Sequence, residues 1–201
     1  MTSPPGVAAF DFDGTLVPGD SLPRFLARVL GRAALAETLM RAAPAMTAGY
    51  RRGGRDGSKA VLLERALAGR VAEQVGEVGA VFGALLAGRI RPAMVERMAW
   101  HDEQGHRRIL VSASLAAYLE PFGRITGFDD VIATRLETDG AGRLTGRLHG
   151  PNVRAHQKAV RLQELLGSAP VEMWAYGNSA GDREMLAMAD HPIRVRPNRR
   201  L

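Results

Sequence analysis

The chain has no cysteine, which removes disulfides, cysteine-ligated zinc and a thiol nucleophile from consideration. No apolar run reaches membrane-spanning length. The first residues have neither the basic start nor the apolar core of a secretory signal, so a cytoplasmic protein is the expectation. A GxxxxGK loop is missing too, which argues against a nucleotide-driven machine. Lysine is scarce: of the 27 Lys and Arg residues only Lys59 and Lys158 are lysines. The net charge of +6 raises nucleic-acid binding as a possibility, but the basic residues are scattered and no helix carries an arginine stripe with interleaved aromatics. Neither nucleic acid nor membrane is therefore expected as a partner, and a modest positive field suits small anionic ligands equally well.

What is present reads as an ordinary globular chain. At 201 residues, 46% hydrophobic and 24% charged, it can bury one sizeable core, or a core with a small insertion. Residues 7–16, VAAFDFDGTL, organise the rest. The apolar run 7–10 has the length of a short buried strand, and it breaks into two acids and a glycine. Side chains two apart in an extended chain share a face, so Asp11 and Asp13 can enter one cleft while Phe12 turns back to the core. Carboxylates that close shift each other's titration unless a cation or a shared proton intervenes. A strand followed by an Asx-type turn is the plain alternative, and the rest of the chain decides between the two.

Residues 20–104 read as helix throughout. A first helix, 22–30, is capped by Asp20 or Ser21, with Pro23 in its first turn. Residues 33–50 are helical but should kink or split at Pro44, and 51–57 (RRGGRDG) form a flexible connection. Further helices are expected from Ser58 to Gly69, over 71–88 with a face of Val71, Val75, Val78, Phe82 and Leu85, and over 91–104. Gly76, Gly79 and Gly83 should weaken the second of these. From residue 106 the pattern changes to strands at 109–113, 131–136, 144–148, 171–176 and 193–195, with helices 114–125, 153–166 and 182–188 between them. Residues 139–142 signal a hairpin. Such alternation predicts an α/β fold, a doubly wound and mostly parallel sheet with an inserted α-helical block.

Three further signals fall where this topology would set them beside the Asp pair. Ser112 ends an apolar strand, where a hydroxyl and free N–H groups suit a phosphate oxygen or simply cap a helix. Lys158, in a chain that otherwise uses arginine, offers a compact charge that fits between a phosphoryl group and a carboxylate; a solvated helix face is the alternative. Residues 176–182, YGNSAGD, place Asn178 and Asp182 after another strand, as hard oxygen donors or as a capped turn. His101 and His106 lie five apart beside Asp102 and Glu103, too sparse a set to argue a second metal site.

DFDGT, the strand ending in Ser112, Lys158 and GNSAGD together resemble, in order and spacing, the four motifs of the haloacid dehalogenase superfamily of phosphatases. The helical block resembles the cap of its phosphoserine-phosphatase-like branch. The resemblance implies a magnesium-dependent phosphatase acting on a small phosphorylated metabolite, with residues 1–18 and 106–201 as catalytic core and 19–105 as cap. It implies Asp11 as nucleophile and Asp13 as general acid and base, with Ser112 and the Ala113 N–H on phosphate oxygens and Lys158 neutralising charge. Magnesium would be held by Asp11, the Asp13 carbonyl, Asn178 and Asp182. Asp20 and Lys59 would clasp the substrate, although Asp20 reads equally as a helix cap. One departure stands out: the family usually has Asp where this chain has Asn178, which implies weaker magnesium binding. A phosphotransferase of the same fold, or a weakened phospho-ligand binding protein, remains the alternative.

Overall fold

The computed structural model describes residues 5–196, so the low-complexity tail 197–201 lies outside the described residues. Strand β1 (Gly6–Phe10) is followed by helices α1 (Leu22–Leu30), α2 (Arg32–Leu67), α3 (Ala72–Ala87) and α4 (Pro92–Glu103). The alternating half runs β2 (Arg107–Leu115), α5 (Ala116–Thr126), β3 (Asp130–Thr134), β4 (Leu136–Thr138) and β5 (Leu144–Leu148). It continues with α6 (His156–Leu166), β6 (Glu172–Gly177), a 3-10 turn (Ala180–Asp182), α7 (Arg183–Ala187) and β7 (His191–Arg194).

Five strands form one sheet in the order β3-β2-β1-β6-β7, and every neighbouring pair is parallel. Period-two alternation along β1 divides the core. Ala8, Phe10 and, beyond the strand, Phe12 enter one apolar layer with residues of α1 to α5. Val7 and Ala9 enter the other with Leu162, Met185 and Leu186. Each fully buried Leu or Phe in these layers contributes about 2 kcal/mol to folding. The helical block shares the first layer: Phe25, Phe82 and Tyr118 pack ring against ring where α1, α3 and α5 meet.

Several local expectations need correction. Pro44 does not split its helix; it sits on the exposed side of α2, where a lost hydrogen bond is readily replaced by water. The break comes at Gly53 and Gly54, and Gly54, at φ +59° and ψ −143°, holds a backbone conformation open only to glycine. The expected flexible connection is otherwise helical. β2 runs on to Leu115 through a register shift against β3, so α5 starts at Ala116 rather than at Ser114. Residues 131–136 do not make one strand: β3 ends at Thr134, and β4 pairs with β5 in a separate antiparallel ribbon. α6 begins at His156, three residues later than expected, after Ala155 at φ +51°.

Two of the three glycines of α3 serve contact, while Gly76 faces open space. A Cβ at Gly79 would lie 2.1 Å from the Ala117 carbonyl oxygen, and one at Gly83 would lie 2.6 Å from that of Tyr118. These two positions let α3 approach α5 at backbone distance, and the buried face shifts so that Leu86 is covered and Leu85 exposed. His101 and His106 pair through their Nδ1 atoms at 2.8 Å, and His101 Nε2 meets the Tyr176 hydroxyl at 2.9 Å. Burial pushes His101 down to about 3 and keeps it neutral, and both of its ring nitrogens are spent on His106 and Tyr176, so it serves as a satisfied core group.

Candidate active site

β1 lies at the centre of the sheet and the chain leaves it in opposite directions, to β2 on one side and β6 on the other. That is a topological switch point, where the carboxyl ends of the strands open a crevice. A cavity of about 600 Å³ occupies it and is lined by Asp11, Asp13, Asp20, Lys59, Ser112, Ala113, Lys158, Asn178 and Asp182. The structure thus brings to one place the residues that the resemblance assigns to the site, while His101 and His106 lie elsewhere in the core.

Lys158 is the centre of charge. Its ammonium donates to Asp11 Oδ1 at 2.5 Å and to Asp182 Oδ1 at 2.7 Å, although 147 residues separate it from Asp11. The other Asp11 oxygen accepts from Thr15 Oγ1 at 2.8 Å. Asp182 Oδ2 accepts from the Ser179 hydroxyl and from the Asn178 and Ser179 N–H groups, closing a capping box. Burial works against the charge on all three. For Lys158 the two carboxylates outweigh it and hold the ammonium above its ordinary value. For Asp182, Lys158 and Ser179 outweigh burial and keep the carboxyl low. Asp11 is pushed up by burial and by the Asp182 charge, with Lys158 opposing. With all three ionised the triad carries one net negative charge.

Asp13 is tied differently. Its Oδ1 accepts from the Ser21 N–H at 2.9 Å, and its Oδ2 accepts from Ser21 Oγ at 3.0 Å and Ser114 Oγ at 2.5 Å. The Tyr118 hydroxyl lies 2.9 Å from Ser21 Oγ and completes a buried hydroxyl network. Burial, with smaller help from the Asp20 and Asp11 charges, pushes Asp13 up to about 6, against the Ser114 and Ser21 bonds that lower it. A carboxyl poised near neutrality is suited to giving and taking a proton. Sequence reasoning missed Ser21, Ser114 and Tyr118 here, because each had a plainer assignment as a cap, a helix start or an apolar face.

The remaining candidates divide. Ser112 is buried and its Oγ accepts from the Ser114 N–H at 3.1 Å, which leaves its own proton for a ligand. Asp20 caps α1 by accepting from the Leu22 N–H at 3.0 Å, as its plainer reading held, and still lines the cavity. Lys59 reaches the cavity wall, but its protons go to the Ala113 carbonyl and to Asn152. Asn178 lies against the Asp loop: a Cβ at Gly14, at φ +79°, would sit 1.9 Å from its Nδ2. Among the described residues no group hydrogen-bonds to the Asn178 side chain, and no three His, Cys, Asp or Glu side chains converge as metal ligands. The available donors are therefore all oxygen: Asp11, the Asp13 carbonyl, Asn178 and Asp182. Such a set, two carboxylates and two carbonyl oxygens, fits a hard divalent cation and carries one formal charge fewer than it would with Asp at 178.

Comparison with known proteins agrees with this geometry. Residues 8–187 match the family model of haloacid dehalogenase-like hydrolases, and the chain belongs to that family. It is 35% identical over 191 residues to the protein CicA of Caulobacter vibrioides, covering 94% of this chain and 86% of that one. A protein of unknown function from Bordetella pertussis Tohama I has the same fold, with a TM-score of 0.79 and 25% identity over 96% of this chain and 90% of that one. A phosphoserine phosphatase solved as its phospho-aspartyl intermediate analogue also shares the fold, with a TM-score of 0.64, 22% identity, and 93% and 84% of the two chains covered. By family this is a haloacid dehalogenase-like hydrolase, and its fold is one that a phosphoserine phosphatase shares.

Proposed function

We propose that the protein is a cytoplasmic, magnesium-dependent phosphomonoesterase that hydrolyses a small phosphorylated metabolite through an aspartyl phosphate on Asp11. The observation that carries this reading is the buried Lys158 ammonium bridging Asp11 and Asp182 at the switch point. The phosphoserine phosphatases among the structural neighbours support it. In this reading residues 19–105 form the cap and residues 1–18 and 106–201 the catalytic core.

Asp11 Oδ attacks phosphorus and the ester oxygen leaves. Asp13, protonated, gives its proton to that oxygen and is left as a carboxylate. The Ser112 hydroxyl and the Ala113 N–H hold phosphate oxygens, and Lys158 offsets charge on both nucleophile and phosphoryl group. Asp13 then takes a proton from the water that attacks the aspartyl phosphate, which frees inorganic phosphate and restores both acids. Asp11, the Asp13 carbonyl, Asn178 and Asp182 would hold magnesium, which when bound supplies positive charge against the phosphate oxygens.

The first experiment is phosphate release from a panel of phosphomonoesters with and without magnesium, with Asp11→Asn as the blank. Activity surviving in that blank would refute the nucleophile. Asn178→Asp restores a full ligand charge and is expected to lower the magnesium concentration for half-maximal activity about tenfold. An unchanged requirement would take Asn178 out of the ligand set. The step in which Asp13 must be protonated is expected to slow as pH rises through about 6, measured by single-turnover kinetics. Ser114→Ala removes a bond that lowers the Asp13 value and should move that limb to higher pH. A limb that stays in place would mean another group supplies the proton. An added alcohol that takes up the phosphoryl group in place of water would make the enzyme a phosphotransferase.

A further inference from the structure

Lys59 and Asp56 stand one helical turn apart on the second half of α2, and both hold the same side chain of the alternating half. Lys59 Nζ donates to Asn152 Oδ1 at 2.7 Å, while Asn152 Nδ2 donates to Asp56 Oδ1 at 2.9 Å. Asn152 Oδ1 also accepts from Thr134 Oγ1 at 2.9 Å, and Thr134 Oγ1 accepts from the Val153 N–H at 3.1 Å, which anchors the amide to the end of β3. The Lys59 ammonium makes one more bond, to the Ala113 carbonyl at 2.5 Å. It therefore joins three segments: α2, the 112–114 turn and the loop that leads into α6 and Lys158.

The consequence lies in the Ala113–Ser114 peptide. Its carbonyl is pinned by Lys59, its N–H donates to Ser112 Oγ, and the next side chain, Ser114, donates to Asp13. A peptide plane held at its oxygen has its N–H direction set as well. Taking the ammonium away frees that plane, and with it the aim of the Ser112 hydroxyl and the Ser114 bond to Asp13. The Ala113 carbonyl would also lose its charged hydrogen-bond donor.

We propose that Lys59 is a positioning residue: with Asp56 and Asn152 it latches α2 to the phosphate-binding turn, so that the turn is ordered only when the helical block is seated. This deepens the phosphatase reading and gives Lys59 a task other than drawing in an anionic substrate. A lysine that only attracted anions would be left with free donors facing the cavity and would gain nothing from Asp56. Here two of its donors are spent on protein, and Asp56 grips the far end of the same amide.

The test compares the full-length wild type with Lys59→Met and Asp56→Ala. Two readouts are used: amide hydrogen exchange, and affinity for inorganic phosphate with magnesium present. The latch predicts faster exchange over residues 112–116 and 152–156 in both variants, with β1 and β6 unchanged as a check on folding. It also predicts phosphate affinity about tenfold lower in Lys59→Met and lower in Asp56→Ala as well. An attracting charge predicts the opposite sign for Asp56→Ala, because deleting a carboxylate from the cavity wall strengthens anion binding. Unchanged exchange at 112–116, or tighter phosphate binding by Asp56→Ala, would overturn the latch. The exchange readout needs no turnover, so a wild type that binds phosphate but releases none from any ester would sink the proposed activity alone.

Discussion

Asp11→Asn is expected to abolish phosphate release, with kcat falling at least about a thousandfold, while the protein stays folded. The two halves of that statement have separate causes. The amide oxygen still accepts from Lys158, and the amide N–H can donate to the Thr15 hydroxyl, which reverses that bond without breaking it. Removing one carboxylate from a triad of one cation and two anions leaves the remaining pair neutral, so no buried charge is stranded. What is lost is the anionic oxygen that attacks phosphorus, and an amide oxygen is a poor replacement. Denaturant unfolding should give a midpoint close to that of the wild type. A variant that unfolds would show that the Asp11 charge is structural, and one that turns over would show that it is not the nucleophile.

Lys158→Met has the opposite profile, with large effects on both activity and stability. Lys158 is 2% exposed, and methionine matches its length without its charge. Two buried carboxylates would face each other with no cation between them, a loss of about 3–5 kcal/mol in unfolding free energy near pH 7. The sign with pH follows. Without the ammonium both carboxyls titrate higher in the folded state than in the unfolded chain, so the penalty exists where they are ionised and fades as pH falls through their raised values. The deficit should therefore shrink as pH is lowered and the carboxyls take up protons. Adding Asp11→Asn to Lys158→Met should restore part of the stability at pH 7 and none of the activity. A Lys158→Met protein as stable as the wild type would mean that the ammonium does not neutralise this pair.

The family, the sheet and the meeting of distant residues were legible in the sequence because each acid or hydroxyl of the site follows an apolar strand. A run such as 7–10 followed by DFDGT can bury its apolar side chains only by placing the acids at the edge of the sheet. The interior of the helical block was less legible. Proline at 44 outranks glycine as a breaker in composition, yet an exposed helix tolerates it, and only the conformation at Gly54 ends the regular spiral. The second set of polar partners was hidden for another reason. Ser21 looks like a cap, Tyr118 falls on an apolar stripe, and Asn152 stands in a loop. Their hydrogen bonds join residues far apart in the chain, as in the 97 positions between Ser21 and Tyr118, which no local pattern encodes. The assignment of Asp20 was split by the same ambiguity, since capping α1 and lining the cavity are compatible.

The account depends on a covalent phosphoryl group on one carboxylate, and that can be trapped. Wild-type protein mixed with a turned-over phosphomonoester and magnesium, quenched in acid within the first turnover and digested, should yield the peptide containing Asp11 carrying the mass of a phosphoryl group. The same peptide from Asp11→Asn should stay unmodified. Turnover with no labelled peptide at any quench time, or a label on Asp13 instead, would contradict the account.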